Sequence, residues 1–316
     1  MVNKLYVEPD AGVGPLIKFI RNSNKFLYIN SYLIDDPKIL ESISGAVKRK
    51  IDVKIIVDGR PYGINGDDGT HDEIKTLKNT GAEVKIAPPR FEAKNVFDHA
   101  KYMLTSNRAD IGTLNFTEAA FSKNREYFFI TDNKNVIKAL EKIFLSDFND
   151  KHAGEDPRKY LIVSPGSEKN LQDFMEKEKK IFIETEEMGD DENIINTIMK
   201  KGKKARVIVP DTVSPTDISN LKKLKKNGVK IKYMPANKLY MHAKTIIGKK
   251  AFIGSENFTK SSLNRNREVG IILNKHHSIS VLKDSFSQDW KNASKSIKKA
   301  KYQASASKDK KSKDYD

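Results

Sequence analysis

A duplicated order of segments constrains this 316-residue chain most, because two copies of one pattern fold as two similar units that pack together. Residues 25–29 (KFLYI) are echoed by 180–184 (KIFIE), and 53–57 followed by Asp58 are echoed by 206–210. Residues 81–88 then match 228–235. His99-Ala100-Lys101 pairs with His242-Ala243-Lys244, Asn115-Phe116-Thr117 with Asn257-Phe258-Thr259, and Asn124-Arg125-Glu126 with Asn266-Arg267-Glu268. The order never changes, and the offset falls from 155 to 142 residues. Asp147-Phe148 and Asp289-Trp290 close the two copies.

Between the β-like runs lie helical patterns, such as Ile39, Leu40, Ile43 and Val47, or Ile194, Ile195, Ile198 and Met199, with apolar residues three or four apart. Each copy predicts strand, helix, strand, helix, strand, a hairpin carrying His-Ala-Lys, a further strand and a closing helix. The expected fold class is α/β: two tandem α/β/α sandwich lobes with mixed, largely parallel sheets related by pseudo-two-fold symmetry. The expected boundaries are 1–153 and 154–302, joined through the polar residues 149–159. Residues 303–316, nearly devoid of apolar side chains, read as a disordered basic tail.

Composition narrows the chemistry. Without cysteine the chain has no disulfide, thiolate nucleophile, iron–sulfur cluster or Cys-ligated zinc, so any covalent step falls to other side chains. Its 58 Lys and Arg against 42 Asp and Glu give +16, a balance that attracts nucleic acid or an anionic membrane face and that also serves solubility. No apolar run reaches the roughly 20 residues that span a bilayer, and the first residues lack the apolar core of a signal peptide, so the expected address is cytoplasmic.

A lone histidine is usually a satisfied core or surface residue. Two copies of His-x-Lys, each followed by Gly-Thr-Leu-Asn (112–115) or Gly-Ser-Glu-Asn (254–257) and then by Glu 11 residues after the Asn, are far more specific. Strand residues i and i+2 share a face, so His99 with Lys101, and His242 with Lys244, can point into one pocket. Such a set suits phosphoryl transfer: a neutral imidazole attacks phosphorus to give a phosphohistidine, the other imidazole protonates the leaving oxygen, and water closes the cycle. Lys101, Lys244, Asn115 and Asn257 are expected to bind the non-bridging oxygens. Glu126 and Glu268 are each expected to accept a hydrogen bond from Nδ1–H of the histidine in the same copy. Thr113 and Ser255, with Arg60 and Tyr62 on a glycine-rich loop, are the expected substrate contacts. No metal and no cofactor is required.

At these residues the sequence resembles the phospholipase D superfamily, whose mark is two His-x-Lys-x4-Asp motifs, each followed by Gly-Ser/Thr-x-Asn. The resemblance spans nearly the whole chain apart from the tail. It implies a two-lobed α/β/α fold, one active site at the lobe interface and metal-free phosphodiester cleavage or exchange, with His99 as nucleophile and His242 as acid. The family Asp is replaced by Ser106 in the first copy and Lys249 in the second. Gly248-Lys249-Lys250 reads as a tight hairpin turn in which Gly248 suits a positive φ, and Ser106-Asn107 occupies the equivalent turn, away from the phosphate.

The leading expectation is a phosphodiesterase acting on DNA or RNA, as monomer or homodimer. A phospholipid-directed hydrolase or transphosphatidylase is the alternative, and an inactive nucleic-acid binder of the same fold is the third reading. Among lesser signals, Thr70-x-x-Glu73 reads as a capping box opening a helix rather than a metal loop. Gly59, Gly63, Gly66 and Gly69 read as a flexible loop, and His276-His277 as a solvated turn or helix face. Because two histidines and two lysines supply nucleophile and charge, EDTA should leave phosphodiester cleavage unchanged. Loss with chelator and recovery with Mg²⁺ or Zn²⁺ would sink this mechanism.

Overall fold

Local chemistry starts the elements and the repeat pairs them. The computed structural model describes residues 3–61 and 66–297. The first half runs β1 (Asn3–Glu8), α1 (Gly14–Arg21), β2 (Phe26–Ser31), α2 (Pro37–Lys48), β3 (Asp52–Val57), α3 (Gly66–Asn79) and β4 (Glu83–Ile86). It continues through β5 (Lys101–Thr105), β6 (Ala109–Gly112), α4 (Glu118–Ser122), β7 (Asn124–Thr131) and α5 (Lys134–Phe148). The second half runs β8 (Ile162–Ser164), α6 (Glu168–Lys177), β9 (Ile181–Thr185), α7 (Glu192–Lys201), β10 (Ala205–Pro210), α8 (Pro215–Lys226) and β11 (Lys230–Met234). It closes with β12 (Tyr240–Met241), β13 (Lys244–Ile247), β14 (Ala251–Gly254), α9 (Lys260–Asn264), β15 (Glu268–Leu273) and α10 (His276–Asn292). Asp36, Asp191 and Ser214 accept backbone N–H groups at the starts of α2, α7 and α8, satisfying donors that a helix leaves unpaired.

Two sheets result, ordered β1-β7-β6-β5-β2-β3-β4 and β8-β15-β14-β13-β9-β10-β11. The orders are the same under the repeat, so the α/β class with two related lobes holds. The sheets are mixed: parallel pairing runs through β2-β3-β4 and β9-β10-β11, where helices cross over, and recurs where the short β12 joins the edge of β7. The remaining pairs along the two strand orders are antiparallel, which corrects the expected largely parallel ladder. Short turns join the hairpin strands, and turns of that length permit only antiparallel pairing. β1 and β8, absent from the expected segment order, add a strand beside β7 and β15.

The register also corrects the repeat. Ser31 faces Lys101 and Thr185 faces Lys244, so β2 and β9 align one residue tighter than the 155-residue offset read from the sequence. A slip of one residue moves every side chain to the other face. Aromatic stacks agree with this register: Tyr28–Phe144–Phe148 in one half (4.8 and 5.5 Å) and Phe182–Phe286–Trp290 in the other (5.0 and 5.7 Å). Helix α3 begins at Gly66, so Thr70 and Gly69 lie within a helix and not at a cap or in a loop. Glu73 is drawn instead to a tertiary partner, the N–H of Ile34 (2.9 Å). Tyr62, Gly63 and the tail 303–316 lie outside the described residues.

Each sheet packs one face on its own outer helices, with Leu16, Ile20, Ile39 and Ile43 in one core and Leu171, Ile194, Ile198 and Leu224 in the other. The inner faces share a third core, where Tyr127, Phe129, Leu140 and Phe144 of the first half meet Val269, Ile271, Leu282 and Phe286 of the second. Two buried ion pairs cross this core. Arg125 donates to both oxygens of Asp289 (2.6 and 3.0 Å) and to the Glu8 carbonyl (2.6 Å). Arg267 does the same with Asp147 (2.8 and 2.9 Å) and the Ser164 carbonyl (2.7 Å). Removing one partner strands a buried charge, so Arg125→Ala or Arg267→Ala should each cost about 3–5 kcal/mol in urea unfolding. Arg125→Met with Asp289→Leu should recover most of that loss, and an equally damaged double variant would show that packing, not the stranded carboxylate, sets the cost.

Candidate active site

Each His-Ala-Lys segment is held by main-chain hydrogen bonds to the other lobe. His99 N–H donates to the Arg267 carbonyl and Arg267 N–H to the Phe97 carbonyl, both at 2.9 Å. In the other copy β12 lies parallel to β7, with Tyr240 opposite Asn124 and Met241 opposite Arg125. The two histidine segments are therefore threaded against the opposite lobe's Asn-Arg-Glu strand.

This threading crosses the His–Glu pairs. His99 Nδ1 lies 3.0 and 3.2 Å from the two oxygens of Glu268, and His242 Nδ1 lies 2.5 Å from Glu126 Oε1. The expected pairing within each copy is thus corrected to a pairing between copies. Both glutamates are wholly buried and held by neighbours. Glu126 accepts from the Thr113 hydroxyl (2.5 Å) and the Asn124 amide (3.4 Å); Glu268 accepts from the Ser262 hydroxyl (2.7 Å) and the Asn266 amide (3.3 Å). Thr113 and Ser255, expected to meet substrate, are fully buried, and their hydroxyls accept the N–H groups of Tyr127 and Val269 (3.0 Å each). They shape the wall behind the glutamates instead.

Lys101 and Lys244 open β5 and β13, are completely buried, and donate to the carbonyls of His99 (2.7 Å) and His242 (2.6 Å). Burial holds the Lys101 ammonium down to about 7, with Lys244 adding to the effect and Glu268 and Glu126 opposing it. An arriving phosphate would restore its proton. Burial likewise holds His99 down to about 4, against the pull of Glu268, so this imidazole is neutral at physiological pH. Glu268 is buried too, yet His99 and Lys101 keep it below the usual carboxylate range. With Nδ1–H donated to Glu268, the Nε2 lone pair of His99 is free to attack. Lys101 and Lys244 both act on His99, and Glu126 and Glu186 both act on Lys101, so the two copies form one centre. The side-chain carbonyls of Asn115 and Asn257 are buried and meet no donor, leaving these amides uncommitted.

The repeat alone does not reveal three further residues here. Tyr32 turns its ring edge to His99 (4.8 Å) and lies 5.3 Å from Lys101 Nζ. Glu186 meets Lys244 Nζ (2.7 Å) and His242 Nε2 (3.2 Å), and the Tyr240 hydroxyl donates to it (3.0 Å). A correct one-residue register would have set Tyr32 and Glu186 side by side in the sequence. Arg60 is exposed and paired with Glu92 (3.5 Å), and it takes no part in these contacts. Among the described residues no cluster of His, Asp and Glu is arranged to hold a metal ion.

The hairpin turns lie apart from this centre. Glu178 accepts the N–H groups of Lys249 (2.6 Å) and Lys250 (3.1 Å). Gly248 does not adopt the expected positive φ; a Cβ there would strike the Glu178 side chain, which would have to give way and loosen its hold on the turn. In the first copy the Ser106 hydroxyl donates to Asn24 (2.8 Å) and Thr105 receives the Arg108 N–H (3.2 Å).

A fold of two related sheets with a crossed His–Lys–Glu centre defines a class that handles phosphodiesters. The family described as cardiolipin synthase, phospholipase D-like domain, matches residues 16–148 and 171–290, and the chain belongs to the phospholipase D superfamily. A cardiolipin synthase from Listeria monocytogenes is 30% identical over 133 residues, 42% of this chain and 26% of that protein. One from Staphylococcus aureus is 29% identical over the same length and shares. The chain thus spans about a quarter of these relatives' length. Phosphatidylserine synthase from Haemophilus influenzae shares the fold, with a TM-score of 0.70, 13% identity, and 92% of this chain and 86% of that chain covered. Polyphosphate kinase from Porphyromonas gingivalis gives 0.70 at 12% identity, covering 91% and 50%.

The depressed His99 sets a pH signature. Its unprotonated form persists well below the ordinary histidine value, so kcat/KM should not fall between pH 7 and about 5, where Lys101 gains its proton, and should then drop with an apparent pKa near 4. An acid limb near 6.5 that is traced to His99 by NMR titration would contradict this.

Proposed function

We propose that the chain is a metal-independent phospholipid phosphodiesterase that exchanges or hydrolyses headgroups through a phosphohistidine. The observation that carries this reading is the crossed two-histidine centre in a chain similar to cardiolipin synthases over 133 residues. His99 Nε2 attacks phosphorus, the P–N bond forms, and the P–O bond to the headgroup alcohol breaks. His242 gives that oxygen its proton. A second alcohol, or water, then returns a proton to His242 and attacks phosphorus, releasing His99. Lys101, Lys244 and the two asparagine amides bear the charge that develops on the phosphoryl oxygens.

The +16 balance fits an anionic bilayer surface as well as it fits a polynucleotide. Similarity to lipid enzymes therefore moves the nuclease, the leading expectation from sequence, to second place. The test offers phosphatidylglycerol vesicles, single-stranded DNA and RNA to the same preparation. Headgroup release or cardiolipin formation is expected, with ³²P label trapped on His99 and lost by at least about a thousandfold in turnover on His99→Ala. Label on His242 would exchange the two roles. Cleavage of nucleic acid without lipid turnover would restore the nuclease reading, and activity on none would leave an inactive binder.

A further inference from the structure

The pseudo-two-fold relation is broken beside the reacting centre. Tyr32 and Glu186 directly follow Ser31 and Thr185, the equivalent last residues of β2 and β9. On the His99 side the position holds an aromatic ring. On the His242 side it holds a carboxylate, one oxygen of which is shared between Lys244 Nζ and His242 Nε2 while the other accepts from Tyr240. The lysine and the imidazole nitrogen that must reach a phosphoryl group are already engaged by an anion of the chain itself. Burial would raise the Glu186 carboxyl, but His242 and Lys244 hold it well below the usual range, so it is charged at neutral pH.

We propose that Glu186 is an internal anion seated in the second lobe's half of the phosphate site, displaced when a phosphodiester binds, and that it then selects the leaving or acceptor alcohol. The selection rests on the phospholipid reading above, whereas the seating does not. His242 Nε2 protonates the departing oxygen, so the headgroup alcohol lies on the wall that carries Glu186. A carboxylate displaced along this wall accepts hydrogen bonds from a hydroxyl or ammonium group on that alcohol and repels an anionic one. The ring of Tyr32 offers no such charge on the nucleophile's side.

The experiment titrates inorganic phosphate into the full chain by calorimetry at pH 7, comparing wild type, Glu186→Gln and Tyr240→Phe. Glu186→Gln is close to isosteric and should bind phosphate about tenfold tighter, because the competing charge is gone. Tyr240→Phe loosens the carboxylate without removing it and should fall between the two. A residue that only pins Lys244 in place predicts the reverse, so unchanged or weaker binding in Glu186→Gln overturns the seating.

The second arm compares kcat/KM for phosphatidylglycerol and phosphatidylmethanol, which share one phosphatidyl group. The wild-type preference for the glycerol headgroup should drop about tenfold in Glu186→Gln. Equal change on both lipids overturns the selection. A wild type that turns over neither lipid sinks the phospholipid reading and the selection with it, while the phosphate titration still decides the seating.

Discussion

Everything in this molecule depends on an exchange of charged side chains between its two halves. Arg125 and Glu126 are neighbours on β7, and neighbouring strand residues point to opposite faces. One reaches Asp289 in α10 and the other reaches His242, so a single strand grips the second lobe from both sides. Arg267, just before β15, and Glu268, its first residue, return the same grip to Asp147 and His99. Buried ion pairs are seldom worth much as net stability, because desolvation offsets most of the attraction. Their value here is registry: a lobe shifted by one residue would strand four charges at once. Neither half alone contains a complete His–Glu pair, so the chemistry exists only in the assembled pair of lobes.

The same burial that makes the exchange obligatory also tunes the centre. Lys101, without solvent and facing glutamates from both halves, sits close to the balance between charged and neutral forms. The buried His99 is neutral for the same reason. Two nearly identical motifs could have given two identical histidines. What separates them lies outside the motifs, in an aromatic neighbour for His99 and an acidic one for His242. The two histidines are distinguished by these further neighbours, much as paired carboxylates in one site can be driven to different roles by their surroundings.

Much of this was legible in the sequence. The repeat placed both lysines and both histidines, and it also held every partner in the crossed pairs, since Arg125, Glu126 and Asp147 match Arg267, Glu268 and Asp289. The crossing itself was not legible. A perfect repeat allows each glutamate to serve either histidine, and only the docking of the lobes chooses between them. Tyr32 and Glu186 were hidden by a one-residue slip in aligning β2 with β9, the kind of error that apolar runs of similar length invite. Thr113 and Ser255 sat in the right segment but on the inward side, where strand direction, not motif membership, decides what a hydroxyl meets. β1 and β8 carry little repeat signal because they act as partners for β7 and β15 rather than as parts of the pocket.

The replaced aspartates follow the same logic of local satisfaction. A tight hairpin turn leaves backbone N–H groups that need an acceptor, and an aspartate in the turn is one way to supply it. In the second copy Glu178, brought in from the junction of α6 and β9, accepts two of these groups from outside the turn. Its carboxylate occupies the space beside Gly248, so a larger residue there would push the acceptor out of the turn. In the first copy the Thr105 hydroxyl accepts within the turn and Asn24 receives the Ser106 hydroxyl. Two chemically different solutions thus close the same turn at the far end of the strands that begin with Lys101 and Lys244. Because those strands begin at the reacting centre and end at these turns, either turn can change its acceptor while the lysines, the histidines and their crossed glutamates keep their places.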